Sequence, residues 1–405
     1  MWKIHGNYYD LTDFLDKHPG GAIILNACKG DRDATAAFES YHAMSDMKKI
    51  KQIMSKYKIE GEYKSSFNFS EKGFYYLLKN KVNLYFKNKN QSHHADYYWV
   101  VKSSIQVLLY FSCFVLACYS DLDLWLRLFF SFFSGHMFIQ SGFVIMHDAS
   151  HLAISTSSKV NETLASIWNS LSLWDNQLWS LHHCFNHHSY TGTIYDPDTI
   201  HFKPFVRKSN NEKKSKYIFY NDVLSIFFLV FFPGMWMGQS IIYFKGLVKK
   251  KFWKMSIHSY IFLNYEFLLK MFTIFSLVYS NSFLVAYFYI VACNLTYFIF
   301  ILPDHDSFET HENITYDLTK DWGELQVRNS GNFATNTLLI NELFGGINYQ
   351  IEHHLFPTVS HIHFPEISKI VKKTCEENNI PYVNHDTIYS AVLSVFKNFK
   401  NISKN

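Results

Sequence analysis

The chain has 405 residues, 48% hydrophobic and 19% aromatic, and its mean hydropathy of -0.08 averages long apolar blocks with polar ones, as in a membrane protein with soluble parts. A net charge of +4 with dispersed Lys and Arg excludes a basic nucleic-acid-binding stripe. Six cysteines without a C-x-x-C spacing exclude a disulfide framework and read as reduced, buried thiols.

Residues 1–63 are polar, with short apolar alternations around His18-Pro19-Gly20-Gly21, and predict a small α+β domain. Met1-Trp2-Lys3-Ile4-His5-Gly6 is followed by no apolar signal-peptide core, so this part is expected to stay in the cytosol. Residues 64–97 form a basic amphipathic linker. Within it Phe74, Tyr75, Leu77, Leu78, Val82, Leu84, Tyr85 and Phe86 alternate with Lys72, Lys79, Lys81, Lys87 and Lys89. Such a helix suits an anionic membrane surface, or packing on the next domain.

Residues 98–395 form the membrane domain. Tyr98–Tyr119 and Leu124–Met146 each reach the roughly 20 residues that a helix needs to cross the hydrocarbon. The link Ser120-Asp121-Leu122-Asp123 makes them a hairpin. Val223–Tyr243, Tyr260–Ser280 and Phe283–Pro303 are further candidates. If all histidine clusters face one side, an even number of spans separates His188 from His353. The segment with Pro233-Gly234 and Trp236 is then assigned to the interface, giving about four spans plus interfacial helices. Lys245, Lys249, Lys250, Lys251 and Lys254 hold their loop on the cytosolic side.

Three histidine clusters interrupt the apolar runs: His147-Asp148-Ala149-Ser150-His151, His183-Cys184-Phe185-Asn186-His187-His188 and Gln350-Ile351-Glu352-His353-His354. Histidines four apart share one helix face, and a neutral imidazole binds borderline transition metals. Ionisable groups beside membrane spans are costly unless they serve a function. Seven histidines exceed the three or four protein ligands of a mononuclear zinc site and suit two metal ions. Iron is the choice for redox work with O₂, because zinc has no redox chemistry.

The N-terminal segment resembles the cytochrome b5 family. His18, in the His-Pro-Gly-Gly turn, matches one axial haem ligand, and His42 in Phe38-Glu39-Ser40-Tyr41-His42 falls 24 positions later, where the family has the second. Two axial histidines leave no open iron position, which suits electron transfer. A short flexible tether would hold such a domain near a partner at roughly millimolar effective concentration.

The order HDxxH, HxxxHH, QxxHH behind a fused haem domain resembles the front-end fatty-acyl desaturases, from Trp2 to about Tyr382. Gln350 stands where other membrane desaturases carry histidine. The resemblance implies His147, His151, His183, His187, His188, His353 and His354 as ligands of two non-haem iron ions, with Gln350 in or beside that shell. Asp148 would orient a histidine, and Asn332 in Asn329-Ser330-Gly331-Asn332 would contribute directly or through water. His182 is expected to face away; His305 and His311, after the last apolar run, could supply a missing ligand, with a hydrogen-bonded surface role favoured; His361 and His363 are expected in supporting roles, and His93-His94 in solvent. Asp196-Pro197-Asp198 reads as a turn or a headgroup contact.

The implied fold is an α+β haem domain followed by an all-α transmembrane domain. The implied reaction inserts a cis double bond on the carboxyl side of an existing one, using O₂ and electrons relayed from NADH through a cytochrome b5 reductase and haem b. Δ5 is favoured, with Δ4 and Δ6 beside it. The acyl carrier, coenzyme A or a phospholipid, stays open. A sphingolipid Δ8 desaturase, a fatty-acyl or sphingoid hydroxylase and a membrane haem carrier are the competing readings. The expected location is the endoplasmic reticulum membrane, with the haem domain and the histidine boxes facing the cytosol.

Overall fold

The computed structural model describes residues 1–200, 206–208, 222–232, 235–252, 255–257 and 264–404. At the N-terminus, β1 (Trp2–Ile4), β2 (Asn7–Tyr9) and β3 (Lys58–Glu62) form an antiparallel sheet in that order. His5 and Gly6 both have positive φ, 49° and 76°, as a tight two-residue hairpin of primed type requires. Trp2 is fully buried, and its indole N–H donates to the Leu25 carbonyl at 2.7 Å. Gly21, at φ 85° just ahead of α1 (Ala22–Ala27), takes a conformation that a side chain would strain. Asp33 accepts from the Thr35 N–H at 3.0 Å and starts α2 (Thr35–Tyr41), which delivers His42 at its end. The shell closes with α3 (Met47–Met54).

The basic linker helix is α4 (Phe74–Lys89). Its buried residues Phe74, Tyr75, Leu78, Val82 and Phe86 recur at helical spacing and join one core with Trp322, Ile351, Leu355, Phe356 and Phe364. One apolar face of α4 is therefore spent on the protein interior, while Tyr76, Leu77 and Leu84 stay exposed. Lys79 also points inward and pairs with Glu39 of the haem domain at 2.8 Å. The expected flexible tether is thus a packed bracket, fixed to both domains.

Three described helices are long and apolar enough to span: α5 (Tyr97–Tyr119), the continuous run Leu124–Ser150 that begins with α6 (Leu124–Ser141), and Phe283–Asn313. α5 and α6 form the expected hairpin. α6 packs against the Phe283–Asp306 helix so closely that a Cβ on Gly135 would collide with the Tyr289 carbonyl oxygen. Leu108, Phe129 and Phe283 face outward, as lipid contact demands, and the exposed Tyr97, Tyr98 and Trp125 stand at span ends where interfacial aromatics collect.

The candidate Tyr260–Ser280 begins outside the described residues, and its described part is the 16-residue helix Asn264–Tyr279. The candidate Val223–Tyr243 is divided between two shorter helices, Asp222–Phe231 and Met235–Lys249, as an interfacial assignment requires; its Pro233-Gly234, like Lys254, falls outside the described residues.

Two spanning runs overshoot the bilayer. At 1.5 Å per residue, His147 lies about 34 Å from the start of its run and His305 about 33 Å from Phe283, both beyond a core of about 30 Å. Both histidines thus stand at the far ends of their runs, where the two helices meet the rest of the histidine cluster.

Candidate metal and haem sites

A cavity of about 720 Å³ opens between His18 and His42, whose ring centroids are 6.2 Å apart. Each histidine donates its Nδ1–H to a backbone carbonyl, His18 to Gly21 at 3.0 Å and His42 to Phe38 at 2.8 Å. That fixes both tautomers and leaves each Nε2 lone pair for a metal. Burial lowers His18 below its ordinary range and takes His42 down to about 4, so both rings are neutral at physiological pH. Leu11, Phe14, Ile24, Phe38 and Ile50 make the walls apolar, as a flat macrocycle needs. The pair fits a haem held by two imidazoles. The membrane domain completes the same cavity with His93, His94, Leu152 and Thr358, so His93-His94 is not a solvated pair.

All three histidine boxes meet in one buried cluster. His147, His151, His183 and His353 bring ligand nitrogens within 4.8 Å of one another, and His187, His305 and His354 do the same beside them. His188 sits between the groups, its Nε2 3.0 Å from His353 Nε2 and 3.3 Å from His183 Nε2. Ligands about 2.0–2.1 Å from one ion stand roughly 3.3 Å from each other, so this crowding of nitrogens matches a shared metal shell.

Two stretches of π-helix, Gly142–His147 and Ser180–His187, explain the arrangement. The widened turn brings His183 against His188, five residues on, while His187 serves the other group. The expectation that His183 and His187 share one face holds for their rings, which stack with centroids 5.3 Å apart, while their nitrogens serve different groups.

The second group is oriented by its neighbours. His187 Nδ1 donates to Asp196 at 3.1 Å, His305 Nδ1 to the Asn329 carbonyl at 2.7 Å and His354 Nδ1 to Gln326 Oε1 at 2.9 Å, which turns all three Nε2 atoms inward. Gln350 Nε2 lies 3.0 Å from His305 Nε2 and 3.1 Å from His354 Nε2, and its Oε1 is buried without a partner. His151 Nε2 is likewise buried and unpartnered. Burial drives His151, His183, His188, His353 and His354 well below the ordinary histidine range, partly through each other's charge. His187 is the exception: burial opposes its charge, but Asp196 and Asp198 raise it overall. Neutral, inward-facing imidazoles with orphaned lone pairs are what two iron ions require.

Several expected roles move. His305, with a surface role favoured from sequence, is in the cluster. Its available signal was a histidine at the end of the last long apolar run, at the same depth as His147. Asn332 donates to Glu352 and to Tyr382, both at 2.7 Å, and accepts from the Ile351 N–H. Its amide thus braces the third box from behind, and the expected ligand role does not fit that geometry. Asp148 accepts from His361 at 2.7 Å, so the histidine it orients lies outside the cluster. Asp196 and Asp198 form the expected turn, with the Asp198 N–H donating to Asp196 at 2.9 Å, and they also hold His187 and His182.

Residues 123–385 match the family described as "Fatty acid desaturase", and residues 1–64 match "Cytochrome b5-like Heme/Steroid binding domain". The chain belongs to the fatty acid desaturase family. It is an oxidoreductase of lipid metabolism that uses haem and non-haem iron, and the N-terminal cavity and the histidine cluster are compatible with them. Among its relatives are an "Acyl-lipid (8-3)-desaturase" of Physcomitrium patens, 27% identical with 98% of this chain and 87% of that protein covered, and a "Delta(5) fatty acid desaturase A" of Dictyostelium discoideum, 28% identical with 96% and 88% covered. A "sn-1 linoleoyl-lipid 6-desaturase" of Synechocystis is 25% identical and covers 81% of the chain.

Proposed function

We propose that this desaturase inserts a cis double bond at Δ5 of a polyunsaturated acyl chain, on the carboxyl side of an existing bond, with the acyl group carried on a lipid. The observation that carries this reading is the near full-length likeness, haem domain included, to relatives named for acyl-lipid (8-3) and Delta(5) desaturation. The metal ligands we assign are His147, His151, His183 and His353 for one ion and His187, His305 and His354 for the other, with His188 between them and Gln350 alongside. The net reaction takes two hydrogens from adjacent methylenes, one O₂, two electrons and two protons, and yields the alkene and two waters. Bound iron supplies the O₂ chemistry.

The chain's own residues bind and orient. A slot of about 60 Å³ beside His147, His183, His187 and His305 is walled by Phe143, Met146, Trp174, Tyr297 and Ile301. These apolar walls would grip the methylenes and exclude water. We further infer that NADH-cytochrome b5 reductase feeds the haem and that the enzyme lies in the endoplasmic reticulum membrane. The exposed Lys245, Lys249 and Lys250 favour a cytosolic cap.

Expression in yeast fed single polyunsaturated fatty acids, with double bonds mapped by mass spectrometry, tests the reading. A new Δ5 bond supports it. A Δ4 or Δ6 bond would correct the regiochemistry, and a hydroxylated product or altered long-chain bases would overturn it.

A further inference from the structure

The haem domain docks directly over the first two boxes. Arg32 donates to Asn186 Oδ1 and to the Tyr195 carbonyl, and the Tyr190 hydroxyl donates to the Asp33 carbonyl at 2.9 Å. At the centre of this contact stands Tyr41, the residue before the haem ligand His42. Its side chain lines the haem cavity, and its hydroxyl lies 2.7 Å from Nδ1 of His151. Tyr41 thus touches both sites at once.

The hydrogen bonds around Tyr41 have one consistent direction. His151 must keep its Nε2 lone pair for metal, so its proton sits on Nδ1 and is donated to the tyrosine oxygen. The neighbouring Cys184 thiol donates to the Ser150 carbonyl at 3.4 Å. One aromatic residue therefore connects the backbone of a haem ligand to a ring of the non-haem site.

We propose that Tyr41 is the junction through which electrons cross from the haem to the non-haem iron, acting as a positioning residue that fixes the tautomer of His151 and the docked pose of the haem domain. Each crossing oxidises one ferrous haem to ferric and adds one electron to the non-haem pair. Tyr41 gains and loses none, and two crossings serve each O₂ reduced. This inference rests on the histidine cluster being the iron site.

The test uses the full-length enzyme with its haem and iron, as wild type, Tyr41→Phe and Tyr41→Ala. Haem and iron contents, the haem spectrum and the rate of haem reduction by reductase should match wild type in Tyr41→Phe. Reoxidation of pre-reduced haem on adding acyl substrate and O₂ should slow roughly 10–100-fold, the usual cost of losing a metal ligand's outer partner. Independently of turnover, the metal-free chain carrying Tyr41→Ala should lose hydrogen-exchange protection in residues 35–43 and 148–153 together. Wild-type reoxidation in both variants would overturn the inference. Iron loss in Tyr41→Phe with unchanged reoxidation per iron would also overturn it, assigning Tyr41 to metal retention alone. If the iron site itself is misplaced, His151→Ala and His353→Ala will keep wild-type iron content, which separates that failure from this one.

Discussion

Replacing Lys79 with methionine should loosen the haem domain from the membrane domain by about 2–3 kcal/mol. Lys79 Nζ sits 2.8 Å from Glu39 Oε2, with 8% and 10% of the two side chains exposed. The other Glu39 oxygen is 2.8 Å from His5 Nε2. Burial opposes charge on Glu39, yet the His5 bond and the Lys79 charge hold its carboxyl down to about 2, against an ordinary 4.5. After the opposing cost of burial, the net depression favours the carboxylate by roughly 3 kcal/mol at 1.36 kcal/mol per unit, and His5 and Lys79 share it. Stranding a buried carboxylate adds to the loss, which places the total toward the lower end of the range for broken buried pairs. Native-state hydrogen exchange is the assay, because a two-domain membrane protein has no single unfolding transition. Amides of α2 and α4 should exchange roughly 30–160-fold faster in Lys79→Met, the kinetic equivalent of that energy. The double variant Lys79→Met with Glu39→Gln should recover part of the protection, since no charge is then stranded. The sign in pH follows: a depressed carboxyl contributes stability that is present above 4.5 and lost as pH falls toward about 2, so wild type should approach the variant near the acid end of that window. Unchanged exchange in Lys79→Met, or a double variant as impaired as the summed singles, would refute the reasoning.

Other substitutions separate the two cofactor sites. His18→Ala should remove haem absorbance and acyl product together while iron content stays, checked by metal analysis and the reduced haem spectrum. His305→Ala should lower iron toward one ion per chain and abolish product with the haem spectrum intact; full iron and normal turnover would remove it from the ligand set. Asp196→Asn should cost roughly 10–100-fold in product formation, because His187 loses the carboxylate that orients it. Asn332→Ala should leave an iron spectrum of wild-type form but destabilise the third box by about 1–3 kcal/mol, since Glu352 and Tyr382 lose a buried donor.

The elements that were legible in the chain are those whose signal is local. The haem ligands announce themselves through a Pro-Gly-Gly turn and a fixed spacing, and the membrane hairpin through two uninterrupted apolar runs. The boxes announce themselves through paired histidines. What was not legible depends on turns wider than the α-helix or on contacts between distant residues. The π-helical stretch in the second box redistributes His183, His187 and His188 in a way that 3.6-residue spacing does not anticipate. His305 has no histidine partner within its own segment, so sequence offers it only as the less favoured source of a missing ligand, and the fold is what carries it to His187 and His354. The linker helix shows an amphipathic face in sequence, but only tertiary structure says whether lipid or protein covers it.

The overshoot of the spanning helices connects these points. Leu124–Ser150 and Phe283–Asn313 each carry a lipid-depth half and a cap half. The same two helices supply Phe143, Met146, Tyr297 and Ile301 to the slot and, about one turn further along, His147 and His305 to the two metal groups. An acyl chain rising between them from the bilayer would therefore meet apolar walls first and metal ligands next, without leaving the pair of helices that sets both. The depth at which those histidines project, relative to the walls just below them, is then what selects the methylenes brought to the iron. Shifting that register should shift the bond position: lengthening the cap side of either helix moves the ligands relative to the slot, whereas changes in the lipid-depth half leave the chemistry where it is.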